Sequence, residues 1–399
     1  MTASWLRADL LDRLSSSSLI ALALACALGL LLLAGVVGGV LPTRAAPVSG
    51  PTDIGLYQHA TEAARHPASY YAEVVAEQRR EGYPLRPFLT VRPPTLAFLL
   101  APLPGESARR LLLGALGLVV LGAWAVRLRA EGLAPVPLTL GLIALSTGLL
   151  SGAAAQAYAM HEQWAGLLIA LSLALWRPDR WGWSLAFGLA AALIRELAAP
   201  YLVVMAAMAF VERKPREGAA WLASLALFAA ALAAHAYAVS LYVLPTDIHS
   251  AGWLSLGGWP FLLHALQWNA VLAAGPAWLA VVLAPLALLG AASWRGPLGV
   301  RLGLIVLGYV SGLLVFGRPE NAYWGLMIVP LLSLALVKAP EALLRIAHPP
   351  TAGPPGWPGE PAPAQSASPV RRSPTPARVR RGWRRAVHAS GPRQTAAWR

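Results

Sequence analysis

With 399 residues, 57% of them hydrophobic and only 13% charged, the chain is too apolar for a soluble domain and too poor in charge to coat one. A mean hydropathy of +0.56 points the same way. Composition therefore predicts an all-α, polytopic integral membrane protein, and the formal charge of +14 does not argue for nucleic acid, because nine arginines against Glu360 alone lie beyond Ala347.

Arg7 and Arg13 precede an apolar run from Ser18 to Leu41. It is longer than the roughly 7 to 15 residues of a secretory h-region, so it reads as a retained first span after a cytoplasmic N-terminus, residues 1–17. The one cysteine, Cys26, lies inside it as a small apolar packing residue, and no internal disulfide is possible. Residues 42–94 then form a long outer loop holding Asp53, Tyr57, Gln58, His59, Tyr70, Tyr71 and Tyr83, and closing on Arg92-Pro93-Pro94. The double proline stiffens the chain as it returns to lipid. Two readings of Asp53 stay open on these residues alone. Pro51-Thr52-Asp53 is a good start for a helix from Ile54 to Arg65, which makes Asp53 a cap, and a carboxylate held near a cation at a membrane face suits a general base.

Thr95 to Leu103 is apolar but less than half the roughly 20 residues needed to span, so it is expected to enter the membrane without crossing. Spans are predicted at Leu111 to Val126, Val136 to Ala155, Trp164 to Trp176, Trp183 to Ile194, Tyr201 to Val211, Ala219 to Val243, Val271 to Ala292, Leu302 to Phe316 and Tyr323 to Val337. With the first run this makes about ten. The transmembrane domain covers residues 18–345, with outer loops at 42–94 and 244–269. The tail from 346 to 399, rich in Pro, Gly, Ser, Ala and Arg, cannot bury enough apolar surface to fold. It is expected to be cytoplasmic and disordered, in contact with anionic lipid headgroups and not with nucleic acid.

With the tail inside, the positive-inside bias is met by Arg127 with Arg129, Arg177 with Arg180, Glu212-Arg213-Lys214, and Arg295 with Arg301, all cytoplasmic. Both termini are then inside. The remaining polar groups fall on the outer face: the Asp53 loop, His161-Glu162, Arg195-Glu196, the 244–269 loop with Trp253, Trp259, His264 and Trp268, and Arg318-Pro319-Glu320-Asn321. Arg109 and Arg110 also land outside, against the bias. Charges flanked by lipid-grade residues, such as Arg195-Glu196, tend to mark function, although a self-neutralising pair at a hairpin is the structural alternative. His161-Glu162 has no further ligand at metal spacing. His235 and Tyr237, inside a span, are expected to satisfy each other or nearby backbone. The loop tryptophans read as an interfacial helix from Trp259 to Trp268 or as a cover for an acceptor sugar.

The order of these features, an apolar first span, an outer loop opening at Asp53 and closing on Arg92-Pro93-Pro94, the Ile194-Arg195-Glu196-Leu197 hairpin, and Arg318-Pro319-Glu320-Asn321-Ala322-Tyr323-Trp324 before the last span, resembles the GT-C membrane glycosyltransferases. Within them it is most similar to the bacterial polyprenyl-phosphate-sugar-dependent, mannosyltransferase-like group. The resemblance implies a multi-pass protein of the bacterial cytoplasmic membrane that moves a sugar from a polyprenyl-phosphate-linked donor to a glycan or glycolipid acceptor at the outer face. It implies Asp53 as catalytic base. Arg92, Arg195, Arg318 and His161 would bind the donor phosphate, and Tyr57, Glu162, Glu196, Glu320, Asn321 and Tyr323 the substrates. The first loop lacks an Asp-x-Asp or Glu-Asp pair, a departure from the metal-dependent members, so no metal or other cofactor is expected. Two alternatives from other classes are a transporter or flippase of envelope glycolipids and a non-catalytic assembly protein.

Overall fold

The computed structural model describes residues 53–149 and 157–347. The predicted first span with Cys26 and the basic tail from 348 lie outside them. Among the described residues every regular element is helical, and the one β contact is an isolated bridge from Arg86 to His249.

The described part of the long polar segment before Thr95 folds as a helical hairpin, α1 over Asp53–Ala63 and α2 over Tyr70–Arg80. Helix α2 stops at Gly82, whose φ of +73° lets the Gly82 and Tyr83 N–H groups return to the carbonyls of Arg79 and Gln78. The hairpin has its own small core, in which Ala60, Tyr70, Val74, Val75, Leu85 and Val91 pack with Val239. Next comes α3, Thr95–Leu100. At 1.5 Å per residue it is about 9 Å long, well short of the roughly 30 Å of a bilayer core.

Helix α4 covers Gly105–Ala130 and α5 Pro135–Leu149. Helix α6, His161–Leu175, is the hub, with every residue from His161 to Ala174 buried. An apolar helix buried all round belongs at the centre of a bundle, and Gly166 permits it: a Cβ there would collide with the Leu326 carbonyl. Around it run α7 (Gly182–Ile194), α8 (Ala199–Val211), α9 (Pro215–Ser240), α10 (Gly258–Leu266), α11 (Ala270–Ala274), α12 (Trp278–Ser293) and α13 (Gly296–Phe316). A 3-10 segment, Pro319–Met327, leads into α14 (Val329–Ala335) and α15 (Ala339–Ala347).

Among the described residues α4, α9 and α13 are long and apolar enough to cross a membrane, and a fourth span arises if Pro319–Met327 and Val329–Ala347, bent by 60°, count as one. Their outer faces suit lipid. Leu111 is 74% exposed and Leu118 72%, and Val119 and Val126 share the same helix. Contiguous apolar surface of this kind is rare on soluble monomers.

The basic breaks predicted to share one side do meet. Arg301 pairs with Glu212 at 2.5 Å and lies 3.7 Å over the Trp176 ring. Lys214 also reaches Glu212, the Trp176 indole donates to Glu217, and Arg127 donates to the Trp176 carbonyl. The opposite end gathers α1, α2 and the N-terminus of α6. Arg109, which offended the positive-inside bias, is buried there and ion-paired to Glu62 at 2.7 Å, so its charge is compensated locally.

Two expectations are corrected. The Val271 to Ala292 span is broken into α11 and α12 at Gly275-Pro276, because proline supplies no N–H and disfavours helix in the residue before it. The Tyr323 to Val337 span is likewise a 3-10 segment and a short helix meeting at Ile328, with Pro330 beside the bend. Of the two readings of His235 the backbone one holds: it pairs with the Val91 carbonyl and also with Tyr71, whereas Tyr237 is 69% exposed.

Candidate functional site

The N-terminus of α6 places His161 and Glu162 at the head of the bundle, and both are buried. Helix α7 ends at Ile194, where Arg195 turns extended (φ −142°, ψ 115°) and a single 3-10 turn, Glu196–Ala198, leads into α8. The break aims Arg195 inward. Its Nε lies 2.6 Å from Glu162 Oε1, the two side chains are 1% and 0% exposed, and Nη1 contacts Glu196. Arg195 thus already faces two carboxylates.

Arg92 is placed differently. Its Nε donates to the Tyr57 hydroxyl at 3.0 Å and its Nη2 to the Tyr323 hydroxyl at 3.2 Å, so its hydrogen-bond partners are neutral. The side chain is half-buried. Tyr57 comes from α1, packs edge-on against the His161 ring at 4.9 Å, and is 4% exposed. Burial pushes its phenol well above the ordinary range, against the pull of Arg92, so the hydroxyl stays protonated and able to donate. Tyr323 comes from the 3-10 segment, where Asn321 Oδ1 stands 3.5 Å from its hydroxyl and the buried Asn321 Nδ2 has no hydrogen-bond partner among the described residues. An anion reaching Arg92 would therefore meet a guanidinium flanked by two phenolic O–H donors.

Asp53 stands in the first turn of α1, where a carboxylate complements the helix dipole. Its charge acts on Tyr57, Tyr323 and Tyr83, and Tyr83 shares a hydrogen bond with it. Burial, then the Asp53 charge, raises the Tyr83 phenol above its ordinary value. The two open readings of Asp53 are thus joined by a third fact, the reach of its charge to the Tyr57 and Tyr323 phenols.

Of the residues singled out in the sequence, Asp53, Tyr57, Arg92, His161, Glu162, Arg195, Glu196, Asn321 and Tyr323 come together. Arg318 and Glu320 sit apart: they pair with each other at 3.1 Å, Arg318 donates to the Ala251 carbonyl and its guanidinium lies 6.0 Å from the Trp253 ring, which stacks on Trp324. Helix α10 occupies the stretch expected to form a Trp-flanked interfacial helix. No sequence signal marks Tyr158, whose hydroxyl accepts from Gln58, or the Arg79–Asp247 pair at 2.7 Å that clamps the 244–249 segment to α2. That arginine holds the Asp247 carboxyl down at about 2. Among the described residues no group of three His, Cys, Asp or Glu is placed to hold a metal ion.

The arrangement predicts distinct roles for Arg92 and Arg195. Removing Arg195 strands Glu162 in a dry interior, and breaking such a pair costs about 3 to 5 kcal/mol. Arg195→Ala is expected to lower the melting temperature sharply and to reduce recovery of folded protein from the membrane, as read by fluorescence-detected size exclusion. A variant that melts like the parent would return Arg195 to the role of a ligand.

No family model, curated protein or solved structure matches the chain.

Proposed function

We propose that the protein is a membrane glycosyltransferase that moves a sugar from a polyprenyl-phosphate-linked donor to a glycan or glycolipid acceptor at the outer face of a bacterial cytoplasmic membrane. In this reading the shorter apolar helices also cross or half-cross the bilayer, giving roughly ten spans with both termini inside. The observation that carries it is the state of Arg92. It is the half-buried cation whose hydrogen bonds go to two phenols, whereas Arg195 at the same site is taken up by carboxylates. A cation poised this way fits a phosphate, because the planar guanidinium binds two phosphate oxygens at once.

The chemistry follows from that placement. The acceptor hydroxyl attacks the anomeric carbon, a new C–O bond forms, and the C–O bond to phosphate breaks with its electron pair leaving on the polyprenyl phosphate. Asp53 takes the acceptor proton. Arg92 and the hydroxyls of Tyr57 and Tyr323 meet the charge that grows on the departing phosphate. Glu162 and Glu196 hold Arg195, which braces the wall behind the site. Asn321 offers its free amide to the sugar, and Arg318 with Glu320 lies at the rim.

The test is transfer of a radiolabelled hexose from decaprenyl-phosphate hexoses, presented as a panel, in proteoliposomes of the full chain. Release of decaprenyl phosphate together with label in a new product is expected. Passage of the intact donor across the bilayer without cleavage would instead establish a flippase.

A further inference from the structure

Arg92 owes its position to the short segment before it, and that segment is tied down by side chains that take no part in the chemistry above. Gln78, buried in α2, donates from Nε2 to the Pro84 carbonyl at 2.6 Å and to the Thr90 carbonyl at 3.3 Å. His235 of α9 lies 4% exposed, with Nε2 3.0 Å from the Val91 carbonyl and Nδ1 3.0 Å from the Tyr71 hydroxyl. A carbonyl only accepts, so Nε2 carries the hydrogen and the Nδ1 lone pair accepts from Tyr71. The imidazole thereby bridges a long apolar helix, the first outer loop and the peptide unit just before Arg92. On the other side Pro93 and Pro94 restrict the backbone. The cation is pinned from both directions.

An imidazole within an apolar helix loses hydration and is retained where it serves a purpose. We propose that His235 is a positioning residue for Arg92: by holding the Val91 carbonyl it keeps the guanidinium between Tyr57 and Tyr323. This rests on the reading of Arg92 as the phosphate seat. Phenylalanine at position 235 fills similar space without the donor, while glutamine keeps an N–H that can reach the same carbonyl.

The experiment uses the full chain in nanodiscs, decaprenyl phosphate as the probe and two readouts, probe affinity and amide hydrogen exchange. His235→Phe is expected to speed exchange over residues 88–92 and to weaken probe binding about three- to tenfold, the size of one lost hydrogen bond. His235→Gln should stay near the parent in both. In an Arg92→Gln background His235→Phe should weaken binding no further, since the two act as one unit. If His235→Phe is not recovered folded, Tyr71→Phe, which frees the other side of the ring, should show the same changes with smaller amplitude. Unchanged exchange over 88–92, or a full additional loss in the Arg92→Gln background, would overturn the proposal. If Arg92→Gln binds the probe as the parent does, the phosphate-seat reading fails, and His235 as a positioner of that seat fails with it, whereas a loss in Arg92→Gln without one in His235→Phe sinks the positioning role alone.

Discussion

Replacing Arg92 with glutamine is expected to lower sugar transfer by about 10²- to 10³-fold, the loss typical of removing one donor aimed at developing charge in a closed site. Glutamine approximates the reach of the stem and can still donate one hydrogen bond to Tyr57 or Tyr323, so the wall keeps its packing. What disappears is a full positive charge whose hydrogen bonds go to two phenols, with Glu162 and Glu196 acting on it only through their charge. Lysine restores the charge but not the fork. Arg92→Lys is therefore expected to recover part of the rate, placing it between glutamine and the parent. Turnover and melting temperature measured on the same preparations separate this from misfolding: the rate should collapse while the melt moves little. The opposite pattern is expected at Arg195, whose two carboxylate contacts make it a structural element first.

Asp53→Asn is the second large effect. Asparagine keeps an oxygen that can accept from Tyr83, and it is as good a helix starter as aspartate, so the cost to the fold is a few tenths of a kcal/mol from the weaker interaction with the helix dipole. It cannot take a proton at neutral pH. A positioned base contributes typically about 10²- to 10⁴-fold, so transfer should fall at least about a hundredfold with expression and melting near the parent. Asp53→Ala should lose activity equally and some stability as well, because it also removes the partner of Tyr83. Transfer by Asp53→Asn at close to the parent rate would leave Asp53 as the first residue of α1 and nothing more.

The membrane character and the helical class could be read from composition, and the polar and basic breaks between helices from charge spacing. Arg127, Trp176 beside Arg177, Glu212, Lys214 and Arg301 lie far apart in the chain, yet they meet at one end because each ends or begins a helix of the same bundle. Helix breaks were less legible where proline sits inside an apolar run: Pro276 and Pro330 leave hydropathy high while splitting the helices at 275–277 and near Ile328. At the site, the residue types stood out, since Arg92, His161, Glu162, Arg195 and Glu196 are polar groups beside lipid-grade sequence. Their division of labour did not. Which arginine faces carboxylates and which faces phenols is set by the extended turn at Arg195 and by the strap from Pro84 to Arg92, and neither has a local sequence signature. His235 was conspicuous as a polar residue in α9, but its partners come from Tyr71 and Val91, both far away in the chain.

The placement of the phosphate is the point on which the rest depends, and an electron cryomicroscopy structure of the full chain in nanodiscs with decaprenyl phosphate addresses it directly. The account predicts the phosphorus in front of Arg92, with phosphate oxygens within about 3 Å of the guanidinium and of the Tyr57 and Tyr323 hydroxyls, and with Asp53 on the side from which an acceptor would approach. A phosphate bound instead at the Arg301, Lys214 and Arg127 end of the bundle, with Arg92 still closed on its two tyrosines, would contradict it.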